Sequence, residues 1–230
     1  MMKVLSFDSS NKALSVAILD NESMLAETTI NIKKNHSISL MPTIDFLMAS
    51  VGLEPQDLER IVVAEGPGSY TGLRVSVATA KTLAYTLGIE LVGVSSLYAL
   101  TACGKADELI VPIIDARRQH VYAGFYRNGK AQREDAYMSF SDVLSSLTDE
   151  EKVHFVGEVD AFREQIAKAL PKAQITETLP SAVLIGHLGR QLSPVDVDAF
   201  VPQYLKRVEA EENWLKDHTE SENTHYVKRV

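Results

Sequence analysis

The feature that most constrains the fold is a strand–loop–helix junction over residues 60–74, RIVVAEGPGSYTGLR. A run of β-branched residues stops at a glycine-rich loop, and that loop opens directly into a long apolar helix. Such a junction gathers backbone N–H groups and a helix N-terminus at one point, which favours anions. The alternative is that Pro67 and the glycines only form the tight turn that a strand-to-helix reversal requires. The sequence leaves both interpretations open.

The glycine spacing excludes the familiar nucleotide fingerprints. Gly66, Gly68 and Gly72 do not fit G-x-x-x-x-G-K-[ST], because leucine and arginine follow the last glycine, and they miss G-x-G-x-x-G by one residue. At the end of the first predicted strand, the Asp8 carboxylate could hold a hydrated magnesium ion beside a phosphate, or it could form a local Asx turn. The candidate nucleotide or anion contacts are Asp8, Gly66, Gly68, Ser69, Thr71 and Gly72.

Composition and charge exclude several classes of protein. A net charge of −8 disfavours autonomous nucleic-acid binding. The single cysteine, Cys103, excludes an internal disulfide, and no two histidines stand three or four residues apart. The sequence contains no G-x-S-x-G motif. We therefore predict no catalytic residue, no metal site and no required cofactor. Since no apolar run approaches the length of a bilayer span, we also expect a cytoplasmic protein without a membrane role.

Hydrophobic periodicity predicts an α/β chain in which one order of elements begins twice. The predicted elements of the first half are two strands within 3–19, a strand near 24–32, a helix at 38–51, a strand at 60–65, a helix at 73–87 closed by Gly88, a strand at 90–94 and a helix from Ser95 or Ser96 to about 103. Those of the second half are a strand at 109–115, a hairpin of 119–127 and 130–138 around Asn128-Gly129, a short helix capped by Ser141, a strand at 153–156 and helices at 159–169 and 181–192. We expect an N-terminal lobe over 1–105, a C-terminal lobe over 106–215 and a polar, disordered tail over 216–230.

Both long helices of the first half are apolar on more than one face. A helix on one side of a sheet needs a single apolar stripe, so we predict that these helices also meet another subunit. Burial beneath the second lobe is the alternative. The predicted interface residues are Leu40, Met41, Ile44, Leu47, Met48, Leu73, Val77, Ala80 and Ala84.

Four segments carry a family signature: FDSS (7–10), NHSISLMPTIDFL (35–47), AEGPGSYTGLRVSVATAKTLAY (64–85) and PQYLK (202–206). They resemble the TsaB (formerly YeaZ) family of bacterial tRNA threonylcarbamoyladenosine biosynthesis proteins, and the resemblance extends to about residue 206. It implies the two-lobed actin/sugar-kinase/Hsp70-like fold, a duplicated RNase H-like fold with mixed sheets.

The resemblance also implies a role beside TsaD, the catalytic relative. Where TsaD-like proteins have two metal-binding histidines, this chain has Ser96 and Leu100, which cannot replace imidazole ligands. Ser9 also stands where ATP-binding relatives usually have a glycine after the aspartate. The resemblance therefore implies a non-catalytic subunit that supports transfer of threonylcarbamoyl from its adenylate to N6 of the adenosine beside the tRNA anticodon.

The partners implied are TsaD, the ATPase TsaE, a second copy when TsaD is absent, and tRNA only through the complex; a nucleotide could lie at a subunit boundary.

Two alternatives belong to other classes of protein. One is a nucleotide-dependent kinase or ATPase of the same fold, with Asp8, Ser69 and Thr71 at the phosphates. The other is a glycoprotease-like peptidase, which lacks a nucleophile constellation here.

Overall fold

The computed structural model describes residues 2–32, 36–105 and 107–206. Its strands form two five-stranded mixed sheets with the same order, β3-β2-β1-β4-β5 and β8-β7-β6-β9-β10. In each sheet the first three strands are antiparallel neighbours and the last two join in parallel. The strands are β1 (Lys3–Asp8), β2 (Leu14–Asp20), β3 (Ser23–Ile30), β4 (Arg60–Gly66), β5 (Glu90–Ser95), β6 (Leu109–Asp115), β7 (His120–Arg127), β8 (Lys130–Ser139), β9 (Val153–Gly157) and β10 (Gln174–Glu177).

The shared order confirms the predicted repeat of topology. The hairpin of the second half turns through Asn128 and Gly129, whose φ values are 53° and 71°, as a type I′ turn requires. The short edge strand β10 was not predicted, because its four residues carry too little periodicity to stand out from a loop.

Five α-helices connect or cover the sheets within the described residues: α1 (His36–Ser50), α2 (Tyr70–Leu87), α3 (Phe140–Ser145), α4 (Arg163–Ala169) and α5 (Ala182–Gly189). Helix α2 begins one turn before the predicted start, because the Ser69 side chain accepts a hydrogen bond from the Gly72 N–H and caps the helix. Gly88 ends it in the left-handed conformation, as predicted, with φ at 66°. Pro42 lies inside α1, beyond its first turn.

Two predictions about the helices were wrong. The segment after Ser95 forms only a single 3₁₀ turn, Tyr98–Leu100, because Leu97 and Leu100 are buried between the two sheets and the chain then crosses to β6. Helix α3 is capped by Ser139 and not by Ser141, since the Ser139 hydroxyl accepts from the Asp142 N–H.

The first sheet is covered on both faces. Helices α1 and α2 pack on the face that carries Leu5 and Val63, whereas α5 packs on the opposite face, which carries Val4 and Val62. Helix α5 therefore follows the second sheet in sequence but contacts the first in space. The lobe boundary at residue 105 stays a prediction, and the predicted tail over 216–230 lies outside the described residues.

Candidate functional site

A cleft of about 420 Å³ lies between the two halves of the chain. The β1–β2 turn and the glycine loop form one wall, which includes Ser10, Lys12 and Ser69. The end of β6, the β6–β7 turn and the start of β7 form the other wall, which includes Asp115 and Tyr122. The duplicated topology places two equivalent turns at the same opening.

Each of these turns begins with an aspartate at the end of the first strand of its sheet. Asp8 Oδ1 accepts a hydrogen bond from the Ser10 N–H at 2.7 Å, and Asp115 Oδ1 accepts one from the Arg117 N–H at 2.8 Å. Both carboxylates therefore form Asx turns, the alternative that the sequence left open for Asp8.

The Asp8 carboxyl can accept a further hydrogen bond in addition to the one that forms this turn. It is fully buried, and its Oδ2 has no hydrogen-bond partner among the described residues. Burial raises the pKa of Asp8 to about 6, although the hydrogen bonds from Ser10 oppose the shift. The carboxylate is therefore mostly ionised at neutral pH, and one of its oxygens is free to accept a further donor.

The glycine loop lies directly against the β1–β2 turn. The Ser69 N–H donates to the Ser10 carbonyl oxygen at 2.6 Å. A Cβ on Gly68 would lie 2.3 Å from that same oxygen, and a Cβ on Gly72 would lie 2.1 Å from the carbonyl oxygen of Ser9. These contacts account for both glycines through backbone packing, without an anion.

The remaining predicted anion contacts do not converge on the same point. Gly66 has a φ of 131°, and a Cβ there would lie 2.3 Å from the Gln203 carbonyl oxygen, away from the β1–β2 turn. Thr71 lies in the first turn of α2 and is exposed. Asp8, Gly68, Ser69 and Gly72 meet around Ser9 and Ser10, and their role in anion binding stays a prediction.

The opposite wall of the cleft was not predicted from the sequence. Residues 117–119 (Arg, Arg, Gln) all have positive φ, at 70°, 52° and 61°, which L-residues rarely adopt. Lys12 and Glu158 approach each other from the two halves, with Nζ and Oε1 3.9 Å apart. Since a positive φ at arginine or glutamine has no compositional marker, only the paired topology of the two turns could have indicated this wall.

The predicted partner interface needs correction. Eight of its nine side chains are buried in the core that α1 and α2 form with the first sheet, and only Met41 is exposed, at 45%. The apolar stripe that the sequence identified is the core-facing stripe. The buried residues are Leu40, Ile44, Leu47, Met48, Leu73, Val77, Ala80 and Ala84.

The outer side of the same helices is nevertheless apolar. Ile38 and Phe46 of α1 are 72% and 65% exposed, and Tyr85 of α2 is 73% exposed. A groove of about 200 Å³ runs between the two helices, with Met41 and Leu83 among its lining residues. Exposed apolar residues of this size indicate an interaction surface.

Ser96 and Leu100 lie where the first sheet meets the second half, and both are buried. In residues 2–32, 36–105 and 107–206, no three His, Cys, Asp or Glu side chains come together in an arrangement that could hold a metal ion. Within the same residues, no helix has the length and apolar character of a membrane span.

Comparison with known proteins identifies the family. The family model described as TsaD, tRNA N6-adenosine threonylcarbamoyltransferase, matches residues 23–214. The tRNA threonylcarbamoyladenosine biosynthesis protein TsaB of Bacillus subtilis is 38% identical over 226 residues, which are 94% of this chain and 99% of that protein.

Solved structures support the same fold. A Pseudomonas aeruginosa protein described as similar to peptidase YEAZ superposes with a TM-score of 0.77 at 24% identity, covering 90% of this chain and all of that chain. A structure of YeaZ from the same organism gives a TM-score of 0.73 at 23% identity, covering 89% of this chain and all of that one. The two-lobed actin/sugar-kinase/Hsp70-like fold predicted from the sequence is confirmed.

Proposed function

Because the chain belongs to the TsaB group of the TsaD-related proteins, we propose that it is a non-catalytic accessory subunit in tRNA threonylcarbamoyladenosine biosynthesis. In this role it supports the TsaD-catalysed transfer of threonylcarbamoyl from its adenylate to N6 of the adenosine beside the tRNA anticodon, in the cytoplasm. The observation that carries the proposal is the similarity to the Bacillus subtilis protein over nearly the full length of both chains.

Two features of the structure support an accessory role. The positions aligned with the TsaD metal-binding histidines hold a hydroxyl and an alkyl side chain, Ser96 and Leu100, and burial keeps both away from solvent. The glycine loop is held by backbone contacts to Ser9 and Ser10. These contacts favour a structural role for the loop, in which it positions the start of α2.

The outer side of α1 and α2 is the surface that we assign to TsaD. It combines the exposed side chains of Ile38, Met41 and Phe46 with the groove beside Leu83. Since the TsaD model matches a range that includes both helices, a TsaD subunit carries equivalent helices, and the two proteins would pair through corresponding surfaces. A homodimer would use the same surface when TsaD is absent, and TsaE would join as a third partner.

Met41→Arg tests this surface. The substitution places a guanidinium on an exposed apolar site, so it should weaken co-purification with TsaD from the same cell by at least about tenfold while the chain stays folded. Leu179→Arg is the matched control, because Leu179 is exposed to a similar degree, at 40%, in the second half of the chain. Unchanged recovery of TsaD with Met41→Arg would place the interface elsewhere.

Modification of tRNA provides the functional readout. TsaD with TsaE and the intact chain should produce threonylcarbamoyladenosine, the Met41→Arg chain should not support it, and Leu179→Arg should. If TsaD modified tRNA equally well without this chain, the accessory role would be wrong. The two readouts separate a misplaced interface from a misassigned function.

The cleft favours a nucleotide-binding protein as the second candidate. Asp8 has one carboxylate oxygen without a partner, close to the loop that carries Ser69. Calorimetry with ATP and Mg²⁺ distinguishes the candidates, since tight one-site binding to the isolated chain would favour the kinase or ATPase. Binding that needs TsaD would instead indicate a nucleotide at the subunit boundary.

A further inference from the structure

Aromatic side chains form a row along one side of the cleft. The rings of Tyr70 and Tyr204 have centroids 5.1 Å apart. Tyr137 stacks nearly parallel to His120, with centroids 5.1 Å apart and planes 15° apart, and it lies 5.7 Å from Tyr122. Each ring in the row therefore contacts another ring.

Two cations accompany the rings. The Arg74 guanidinium lies 5.2 Å from the centroid of Tyr70 and donates to its hydroxyl at 3.0 Å. The Lys206 Nζ lies 5.2 Å from the centroid of Tyr137. Because Tyr204 and Lys206 belong to one short segment, that segment joins the Tyr70 pair of the first half to the Tyr137 cluster of the second. We name these seven residues the aromatic stripe: Tyr70, Arg74, His120, Tyr122, Tyr137, Tyr204 and Lys206.

The stripe adjoins the cleft, and two of its rings are exposed to solvent while His120, Tyr122 and Tyr137 are partly exposed. Tyr122 lines the cleft directly, and Tyr70 follows Ser69, which also lines it. Tyr70 and Tyr204 are 43% and 36% exposed. Planar rings beside cations form the surface on which unpaired bases stack while their phosphates are neutralised. A patch for an acidic peptide would need the cations but not several aromatic rings that reach solvent beside them.

We propose that the aromatic stripe binds an unpaired stretch of RNA. The inference deepens the proposed function, because it gives this chain its own contact with the unpaired nucleotides of the tRNA substrate. The net charge of −8 weakens any non-specific attraction to phosphates. RNA bound by the isolated chain would therefore depend on this local combination of rings and cations.

The test is fluorescence anisotropy with the full chain and a labelled, unstructured RNA oligonucleotide at low salt. Tyr204→Ala should weaken binding about tenfold, because it removes one stacking platform, whereas Tyr204→Phe should bind like the parent. Lys206→Gln should make the slope of log affinity against log salt shallower by about 0.7, the value for one phosphate contact on a single strand. Melting temperatures of the variants verify that each remains folded.

Matched substitutions outside the stripe are the controls. Tyr85→Ala removes a more exposed tyrosine from α2, and Lys172→Gln removes an exposed lysine with the same change in net charge. Neither should alter RNA binding. Equal effects from the controls, absence of binding by the parent, equal affinity for an RNA duplex, or equally good displacement by a glutamate-rich peptide would each overturn the proposal. None of these results depends on recovery of TsaD, so failure here leaves the Met41 test intact.

Discussion

The two turns that face each other across the cleft begin alike and are built differently. In the first half, the β1–β2 turn is held to the loop before α2 by backbone contacts, and the Ser69 N–H to Ser10 oxygen distance is only 2.6 Å. In the second half, a charged side chain adds to the link: Glu158 Oε2 accepts from the Asp115 N–H at 3.0 Å, beside a backbone bond from the Glu158 N–H to the Ile113 oxygen at 2.9 Å.

The different links at the two turns show that the two halves of a duplicated fold can serve different structural purposes. The link of the first half places Gly68 and Gly72 against the turn and fixes the start of a long helix, whereas the link of the second half adds the charged Glu158 side chain at the cleft. The helices agree with this division. Helices α1 and α2 have 15 and 18 residues, whereas α3 and α4 have 6 and 7. The first half carries the long helices whose outer side we propose as a partner surface, and the second half completes the cleft.

The largest expected effect comes from breaking the backbone contact of the first half. In Gly72→Ala, the new Cβ would lie 2.1 Å from the Ser9 carbonyl oxygen, so either the loop or the turn must move. We expect the free energy of unfolding to fall by about 3 kcal/mol, measured by urea denaturation.

Two substitutions sharpen the comparison. Glu158→Ala removes the side-chain link of the second half together with the weak, exposed ion pair to Lys12, and it should lower the free energy of unfolding by about 1 kcal/mol. Gly52→Ala is the glycine control: its φ is 68°, but no atom lies within 4 Å of the added Cβ, so the loss should also be about 1 kcal/mol. If Gly72→Ala lowered the free energy of unfolding no more than Gly52→Ala does, the backbone contact would not distinguish the two halves.

The sequence predicted the strands well because β-branched runs such as RIVVAE and LIVPIID have few alternatives. Turn and helix-end signals were equally informative at Gly88 and at Asn128-Gly129, because these residue types mark positions of positive φ. The predicted helix after Ser95 is absent because Leu97 and Leu100 are buried against side chains of the second sheet, a tertiary contact that local sequence does not reveal.

Site residues were harder to predict, for two physical reasons. Periodicity shows which face of a helix is apolar, but it does not show whether the chain's own sheet or another subunit covers that face. Val77 and Ala80 were therefore assigned to a partner, whereas they pack in the core. The cleft is assembled from turns about a hundred residues apart in sequence. Asp8 could be identified from its place at a strand end, whereas Arg117 and Tyr122 could not.

A second prediction concerns the buried charge of the first turn. Burial raises the pKa of Asp8 from 3.8 to about 6, so the folded state favours the neutral carboxyl. The stability associated with this group is complete below about pH 4 and is lost as the pH rises through about 6. Asp8→Asn keeps a neutral side chain at every pH. Its free energy of unfolding relative to the parent should therefore increase by about 2 kcal/mol between pH 4 and pH 7.5.

The difference between the two pH values is the useful measurement, because any cost of burying the new amide is present at both and cancels. Asp115→Asn is the matched control at the equivalent position, where the carboxylate reaches solvent and lies 3.8 Å from the Arg117 guanidinium. A pH-independent effect of Asp8→Asn would show that the first turn does not carry a destabilised charge.

The smallest expected effect tests the strain in the second turn. Arg117 has a φ of 70° and its side chain is 85% exposed, with one weak ion pair to Asp115. Arg117→Gly relieves an unfavourable left-handed conformation but adds freedom to the unfolded chain, so we expect a net gain of about 0.5 kcal/mol in the free energy of unfolding. The comparison variant in the first turn is Asn11→Gly, one residue beyond the position equivalent to Arg117. None of residues 9–13 is among the positive-φ positions, and the Asn11 Oδ1 accepts from the Ala13 N–H at 3.1 Å. Asn11→Gly should therefore lower the free energy of unfolding by about 1 kcal/mol. Opposite signs for the two glycine substitutions would establish that strain belongs to the second turn, and a loss in both would contradict it.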